Sequence, residues 1–190
     1  MRASGYRGAI ALLAAFGLAA LAGCGSMSSS IPFFGKKSTA AAKPACPVAV
    51  ILHPLANTAV FAATGGDMKP LNVAYYGVFS DISAACTVTG DTLHAALDNV
   101  IVAERGPAVR GNEVDLNYFV SLTAADQTIL GKKSFSVHVT VPDQAKRGGV
   151  SDHVEVAFAT GGRPLSDLNI TVGFQESPQA IEFYKNFRGR

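Results

Sequence analysis

The sequence predicts a mainly β domain: an antiparallel two-sheet β-sandwich of immunoglobulin-like kind with a short C-terminal helix. Two observations carry this. Apolar and polar residues alternate with period two along much of the chain. The alternation is cleanest in Leu116, Tyr118, Val120 and Leu122 and again in Phe135, Val137, Val139 and Val141, which is the repeat of a strand with one buried face. These runs follow one another across turn signals, with no strand-helix-strand alternation and no glycine-rich phosphate loop, and that disfavours a parallel α/β sheet. A partly closed β-barrel with the same number of strands fits the same pattern and stands as the alternative.

Taken in order, the domain opens at Cys46-Pro47. Val48-Ala49-Val50-Ile51-Leu52, ended by Pro54, reads as a short buried strand. Residues 57–63 offer a second strand, closed by Gly65-Gly66-Asp67 and Pro70. From Leu71 to Ile82 both alternating sets, Val73, Tyr75, Gly77, Phe79 and Ala74, Tyr76, Val78, are largely apolar. That suits a strand covered on both faces, and it is expected to end near Asp81. After Cys86 and a turn at Thr89-Gly90-Asp91, a long strand runs from Leu93 to Glu104, with a bulge expected near Asp98-Asn99 and a stop at Arg105-Gly106-Pro107. The hairpin of residues 114–141 turns at Ala125-Asp126-Gln127. A shorter strand around Val154, Val156 and Phe158 follows, then a turn at Gly161 to Pro164 and a last strand holding Leu168, Ile170, Val172 and Phe174. Ser177-Pro178 places an N-cap before a proline at the first helical position. The helix so opened carries Ile181, Tyr184 and Phe187 or Arg188 along one side. At roughly ten residues it is too short to stand alone, so that side is expected to dock on the domain.

Ahead of the domain, Arg2 and Arg7 precede an apolar run from Ala9 to Leu21, and Leu21-Ala22-Gly23-Cys24 closes it. The run is short for a membrane span, which needs about 20 apolar residues. It has the n-region and h-region of a secretory signal, and the four closing residues resemble the lipobox of bacterial lipoproteins. That resemblance implies lipid attachment to the Cys24 sulfur, removal of residues 1–23, and acylation of the new N-terminus. The competing reading is an ordinary cleaved signal, with Ala20-Leu21-Ala22 as the cleavage site and Cys24 a free thiol. Residues 24–45 are rich in Ser, Ala, Gly and Lys, the composition of a tether, interrupted only by Ile31-Pro32-Phe33-Phe34. Residues 46–190 form the domain.

The chain has sixteen basic and fourteen acidic side chains. Removing Arg2 and Arg7 leaves a formally neutral protein in which Lys36, Lys37 and Lys43 sit on the tether, so the domain is acidic. No basic patch marks a nucleic-acid partner. The tether lysines suit either a solvated linker or anionic head groups. Once Cys24 is taken by lipid, Cys46 and Cys86 remain. Export to an oxidising compartment, with each thiol at the end of an apolar strand, predicts that they pair as a structural disulfide. The competing readings are a redox-active pair, for which Cys-x-x-Cys spacing is missing, and two isolated core thiols, which export disfavours.

Several stretches of the domain resemble a group of small proteobacterial lipoproteins of unassigned function. They are Cys46-Pro47-Val48, Asp81-Ile82-Ser83 leading to Cys86, residues 102–108 (Val-Ala-Glu-Arg-Gly-Pro-Ala), Tyr118-Phe119-Val120, and Val172-Gly173-Phe174-Gln175 before Pro178. The resemblance implies a shared fold and export route and lends no activity.

Chemistry-bearing patterns are sparse. His53, His94, His138 and His153 are the acid-base candidates near neutral pH, and none has metal-ligand spacing. There is no Gly-x-Ser-x-Gly, and Asp81, Asp91 and Glu104 stand in turn or strand-end contexts where carboxylates usually serve the backbone. Tyr75, Tyr76, Tyr118 and Phe119 read as core and cross-strand packing rather than a sugar platform. The expectation is therefore a non-enzymatic envelope lipoprotein without cofactor. It would face the periplasm, more on the outer than the inner membrane, held to the membrane through Cys24 and binding another envelope protein. The alternative is a small-ligand binder or metal-dependent enzyme with a loop-built site drawing on His53, His94 and His138.

Overall fold

The computed structural model describes residues 46–63 and 67–187. Residues 1–45, with Cys24 and the tether, and the Gly65-Gly66 turn lie outside the described residues. Eight strands and a helix follow in order: β1 (Val48–Ile51), β2 (Asn57–Phe61), β3 (Val73–Thr89), β4 (Thr92–Arg105), β5 (Glu113–Ala124), β6 (Ile129–Thr140), β7 (Arg147–Ala159), β8 (Leu168–Phe174) and α1 (Pro178–Phe187).

The strands build two four-stranded sheets, sheet I in the order β1-β8-β5-β6 and sheet II in the order β2-β3-β4-β7. They face each other as a sandwich and do not close into a barrel. The inward residues of β4 and β5, Leu93, Leu97, Ile101, Leu116, Tyr118, Val120 and Leu122, meet Ile170, Val172 and Phe174 of β8 in one core. Across it, Phe79 of β3 contacts Tyr118 edge-on at 5.6 Å between centroids and Phe174 at 4.5 Å.

Local chemistry explains the hairpins. Thr89 pairs with Thr92 around Gly90, whose φ of 59° suits the first central position of a two-residue turn. Asp91, next in that turn, accepts from the Thr160 hydroxyl and, at 2.8 Å, from the Gly162 amide. It therefore ties this turn to the one after β7. These hydrogen bonds, the one from Thr160 foremost, hold the Asp91 carboxyl below its usual pKa.

Five expectations need correction. β3 does not end near Asp81 but runs on to Thr89, paired with β4 throughout. The bulge lies in β3 rather than at Asp98-Asn99: Phe79 pairs with Ile101 and Asp81 with Val100, leaving Ser80 as the extra residue. That one-residue insertion rephases the strand, so Ile82, Ala84 and Cys86 turn inward where uninterrupted alternation would have buried Asp81. β7 is thirteen residues long rather than short, because it pairs along almost the whole of β4. Sheet I is not wholly antiparallel, since β1 lies parallel to β8.

The fifth correction concerns α1. Its N-cap is as read, with the Ala180 amide donating to Ser177 Oγ at 3.1 Å. The buried residues, however, are Ala180 and Phe183, whereas Ile181 is 45% exposed. Phe183 packs edge-on against Phe61 at 5.6 Å and joins Ala59, Val73 and Tyr76 in a second, smaller cluster on the outer face of sheet II. This covering by α1 is why the first half of β3 is apolar on both faces.

Candidate functional site

The feature least accounted for by folding is β1. As an edge strand beside β8, it turns Ala49 and Ile51 toward the core and Val48, Val50 and the following Leu52 outward. These last three are 65%, 38% and 39% exposed. Leu52 donates its amide to the Val172 carbonyl at 2.8 Å. In a parallel ladder the residues that bond to one neighbour alternate with those that face away, so the backbone groups of Ala49 and Ile51 point to the open edge. Among the described residues no strand pairs with that edge. Residues 46–52 carry no charge, so this edge lacks the charged side chains by which sheet edges are commonly blunted.

Beside β1, on the side of sheet I away from the core, Ser121, Thr171 and Phe119 are themselves buried. The Thr123 and Thr171 hydroxyls lie 3.2 Å apart, Ser121 donates to the Thr171 carbonyl at 3.4 Å, and Lys132 Nζ sits 4.2 Å from the Phe119 ring centroid. Gly173 completes this face, since a Cβ there would come within 2.8 Å of Leu55. Its lack of a side chain lets the 3-10 turn His53–Leu55 settle against β8.

The histidines do not converge. His53 lines a depression of about 550 Å³ with Tyr76, Phe183 and Tyr184 beside α1. His94 lines another, of about 480 Å³, with Thr87, Glu155 and small alanines. His138 is held by Asp115 at 2.8 Å and Glu113 at 3.7 Å, and His153 by Asp98 at 2.8 Å. The hydrogen bond from the neighbouring carboxylate raises the pKa of each of these last two. Among the described residues no three His, Cys, Asp or Glu side chains gather as a metal site.

Cys46 and Cys86 lie at disulfide distance, with their Cα atoms 5.2 Å apart. The pair joins the residue ahead of β1 to the middle of the rephased half of β3, and so links the two sheets.

Two polar features escaped sequence reasoning. Arg105 donates to the carbonyls of Ala145 (3.1 Å), Gly111 (2.8 Å) and Val141 (2.8 Å), clamping the β4–β5 and β6–β7 loops. Beside it, Gly106 packs so tightly that a Cβ would fall 2.2 Å from the Val73 carbonyl oxygen. Inside the sandwich, the fully buried Tyr118 hydroxyl donates to Asp152 at 2.5 Å and accepts from Asn99 Nδ2 at 3.5 Å. Burial, reinforced by Asp152, holds the phenol's ionisation far above its usual range, so it remains a donor. The sequence hints of this network are two polar residues on inward parities, Asn99 of β4 and Asp152 of β7.

Several of the stretches singled out in the sequence serve the fold. Cys46 and Cys86 form the link between sheets, Asp81 accepts from the Ile82 amide at 2.8 Å, Arg105-Gly106 clamps the loops, Tyr118 fills the core, and Gly173 seats Leu55. No family model, curated protein or solved structure matches this chain.

Proposed function

We propose that the protein is a lipid-anchored, non-enzymatic lipoprotein of the bacterial envelope, facing the periplasm, whose sandwich binds another envelope protein through the edge and outer face of β1. The observation that carries this reading is the row Val48, Val50, Leu52: apolar, exposed, uncharged and on an open strand edge. Such an edge offers backbone hydrogen bonds for affinity and alternating side chains for specificity to an extended partner segment. The row begins two residues after Cys46, so the contact would lie beside the tether. The anchor rests on the lipobox-like Leu21-Ala22-Gly23-Cys24. Among the described residues no helix is long and apolar enough to cross a membrane.

The sandwich is read as immunoglobulin-like because it interlocks. The consecutive strands β4 and β5 lie in different sheets and pair with the consecutive strands β7 and β8, as B and C pair with E and F in immunoglobulin domains.

Two experiments test the proposal. The wild-type chain should partition into detergent and carry the mass of a lipidated Cys24, and Cys24→Ser should not; aqueous partitioning of the wild type refutes the anchor. A photo-crosslinking residue at Val48 should yield a discrete envelope adduct that Val50→Asp abolishes without changing the melting temperature. The same probe at Glu113, far from β1 along sheet I, should yield none. Equal adducts from both positions refute the surface.

A further inference from the structure

β1 is attached to the domain unlike any other strand. It is four residues long, none of them fully buried, and its only strand neighbour pairs with it in parallel, the weaker of the two ladders. Its position is nonetheless structural. Ala49 and Ile51 close the core beside Ile170 and Val172 of β8, both fully buried, and β1 occupies the β8 edge that would otherwise be bare. What fastens it is covalent. Cys46, two residues ahead of the strand, is tied to Cys86 on β3 of the opposite sheet. Beyond β2, which pairs with Val73 to Val78, the second half of β3 has no strand partner on that side among the described residues. Six strands are therefore held by long antiparallel ladders, β2 by a five-residue antiparallel one, and β1 by a four-residue parallel ladder and a sulfur bridge.

We propose that the Cys46–Cys86 bond is a redox-operated clasp on β1. Oxidised, it keeps β1 seated as the edge strand of sheet I. When a dithiol reductant opens it, β1 leaves while the other seven strands remain folded, baring the β8 edge and the apolar side chains of Ile170 and Val172. Exchange begins at the Cys46 sulfur, since Cys46 is half-buried and Cys86 is buried. A thiolate of the reductant bonds to that sulfur and the Cys86 sulfur leaves as thiolate. The reductant's second thiol then displaces Cys46. Two electrons and two protons pass to the cysteines, which end as two thiols, and the reductant ends as its own disulfide.

The test uses the full chain carrying Cys24→Ser, so that Cys46 and Cys86 are its only cysteines. Amide hydrogen exchange is followed before and after native-state reduction with excess dithiothreitol at neutral pH, with thiol counting to verify reduction. The clasp predicts that exchange at Leu52, whose amide bonds to β8, and at Val50, which faces β8 on the same side of β1, quickens at least tenfold. The amides of Leu116 to Leu122 in β5 and Leu93 to Ile101 in β4 should keep their protection. Unchanged protection in β1 overturns the proposal, and so does a bond that resists reduction in the folded protein. Loss of protection across all strands together also overturns it, because the bond would then hold the whole domain. Cys46→Ser in the same chain should reproduce the reduced pattern without reductant.

Discussion

Replacing Tyr118 by Phe removes one oxygen from the fully buried centre of the sandwich and changes almost no volume. In the native protein that hydroxyl donates to Asp152 at 2.5 Å and receives Asn99 Nδ2 at 3.5 Å, while Asn99 Oδ1 has no hydrogen-bond partner among the described residues. A hydrogen bond to a charged acceptor is worth about 1.5–3 kcal/mol, and leaving a buried polar group without its partner costs about 1–3 kcal/mol. Asp152 is only half-buried on edge strand β7, so water relieves part of its loss. Asn99 is fully buried and has no such relief. The expected loss for Tyr118→Phe is about 2 kcal/mol by urea denaturation. Because the 2.5 Å bond is the strong one, the cycle Tyr118→Phe, Asp152→Ala and both together should show coupling well above the ~0.5 kcal/mol at which distant sites add. Asn99→Leu placed on Tyr118→Phe should recover stability, since removing both polar partners spares the orphaned amide. A coupling energy near zero, or a Tyr118→Phe protein as stable as the wild type, would refute the view that this network pins β4, β5 and β7 together.

Three other outcomes are expected. Phe183→Ala should cost about 3 kcal/mol, and Ile181→Asp should stay within about 0.5 kcal/mol of wild type, because only Phe183 lies in the cluster under α1; thermal melts of the two variants check the order. Gly106→Ala should destabilise by about 1–3 kcal/mol, since its Cβ meets backbone at 2.2 Å rather than a side chain that can swing away; an unchanged melting temperature would show that β3 and the β4–β5 loop can part there. The His138 pKa is raised in the folded chain by its hydrogen bond to Asp115, so its stabilising contribution is complete below the ordinary value of 6.5 and fades as pH rises through the raised one. An NMR titration should place the His138 midpoint above 6.5, and Asp115→Asn should bring it back down.

What the sequence by itself determined is local. Period-two alternation marks a strand wherever it forms, because successive side chains of any strand point to opposite faces. The strand runs, the Gly90 turn and the Ser177 cap of α1 were therefore legible one residue at a time. The expectation of a lipobox at Leu21-Ala22-Gly23-Cys24 rests on sequence alone, since these residues lie outside the described ones. The cysteine pairing followed from counting thiols under the expectation of export. Which strand each edge accepts, and which helix face is buried, are decided by distant parts of the chain, and there tertiary structure ruled. Apolar residues of α1 permit two adjacent faces, and the surface offered by Phe61, Ala59 and Tyr76 selected Phe183 over Ile181. Ser80 looks like any other strand residue until the bulge puts Ile82 and Cys86 on the core side. Arg105 beside Glu104 reads as a surface charge, and only the folding of two loops over it reveals a clamp on backbone carbonyls. The apolar run at Val48 reads as a buried strand, yet β1 pairs on one side only and leaves Val48, Val50 and Leu52 in solvent. Hydrophobicity specifies that a segment seeks cover, and the topology decides how much it receives.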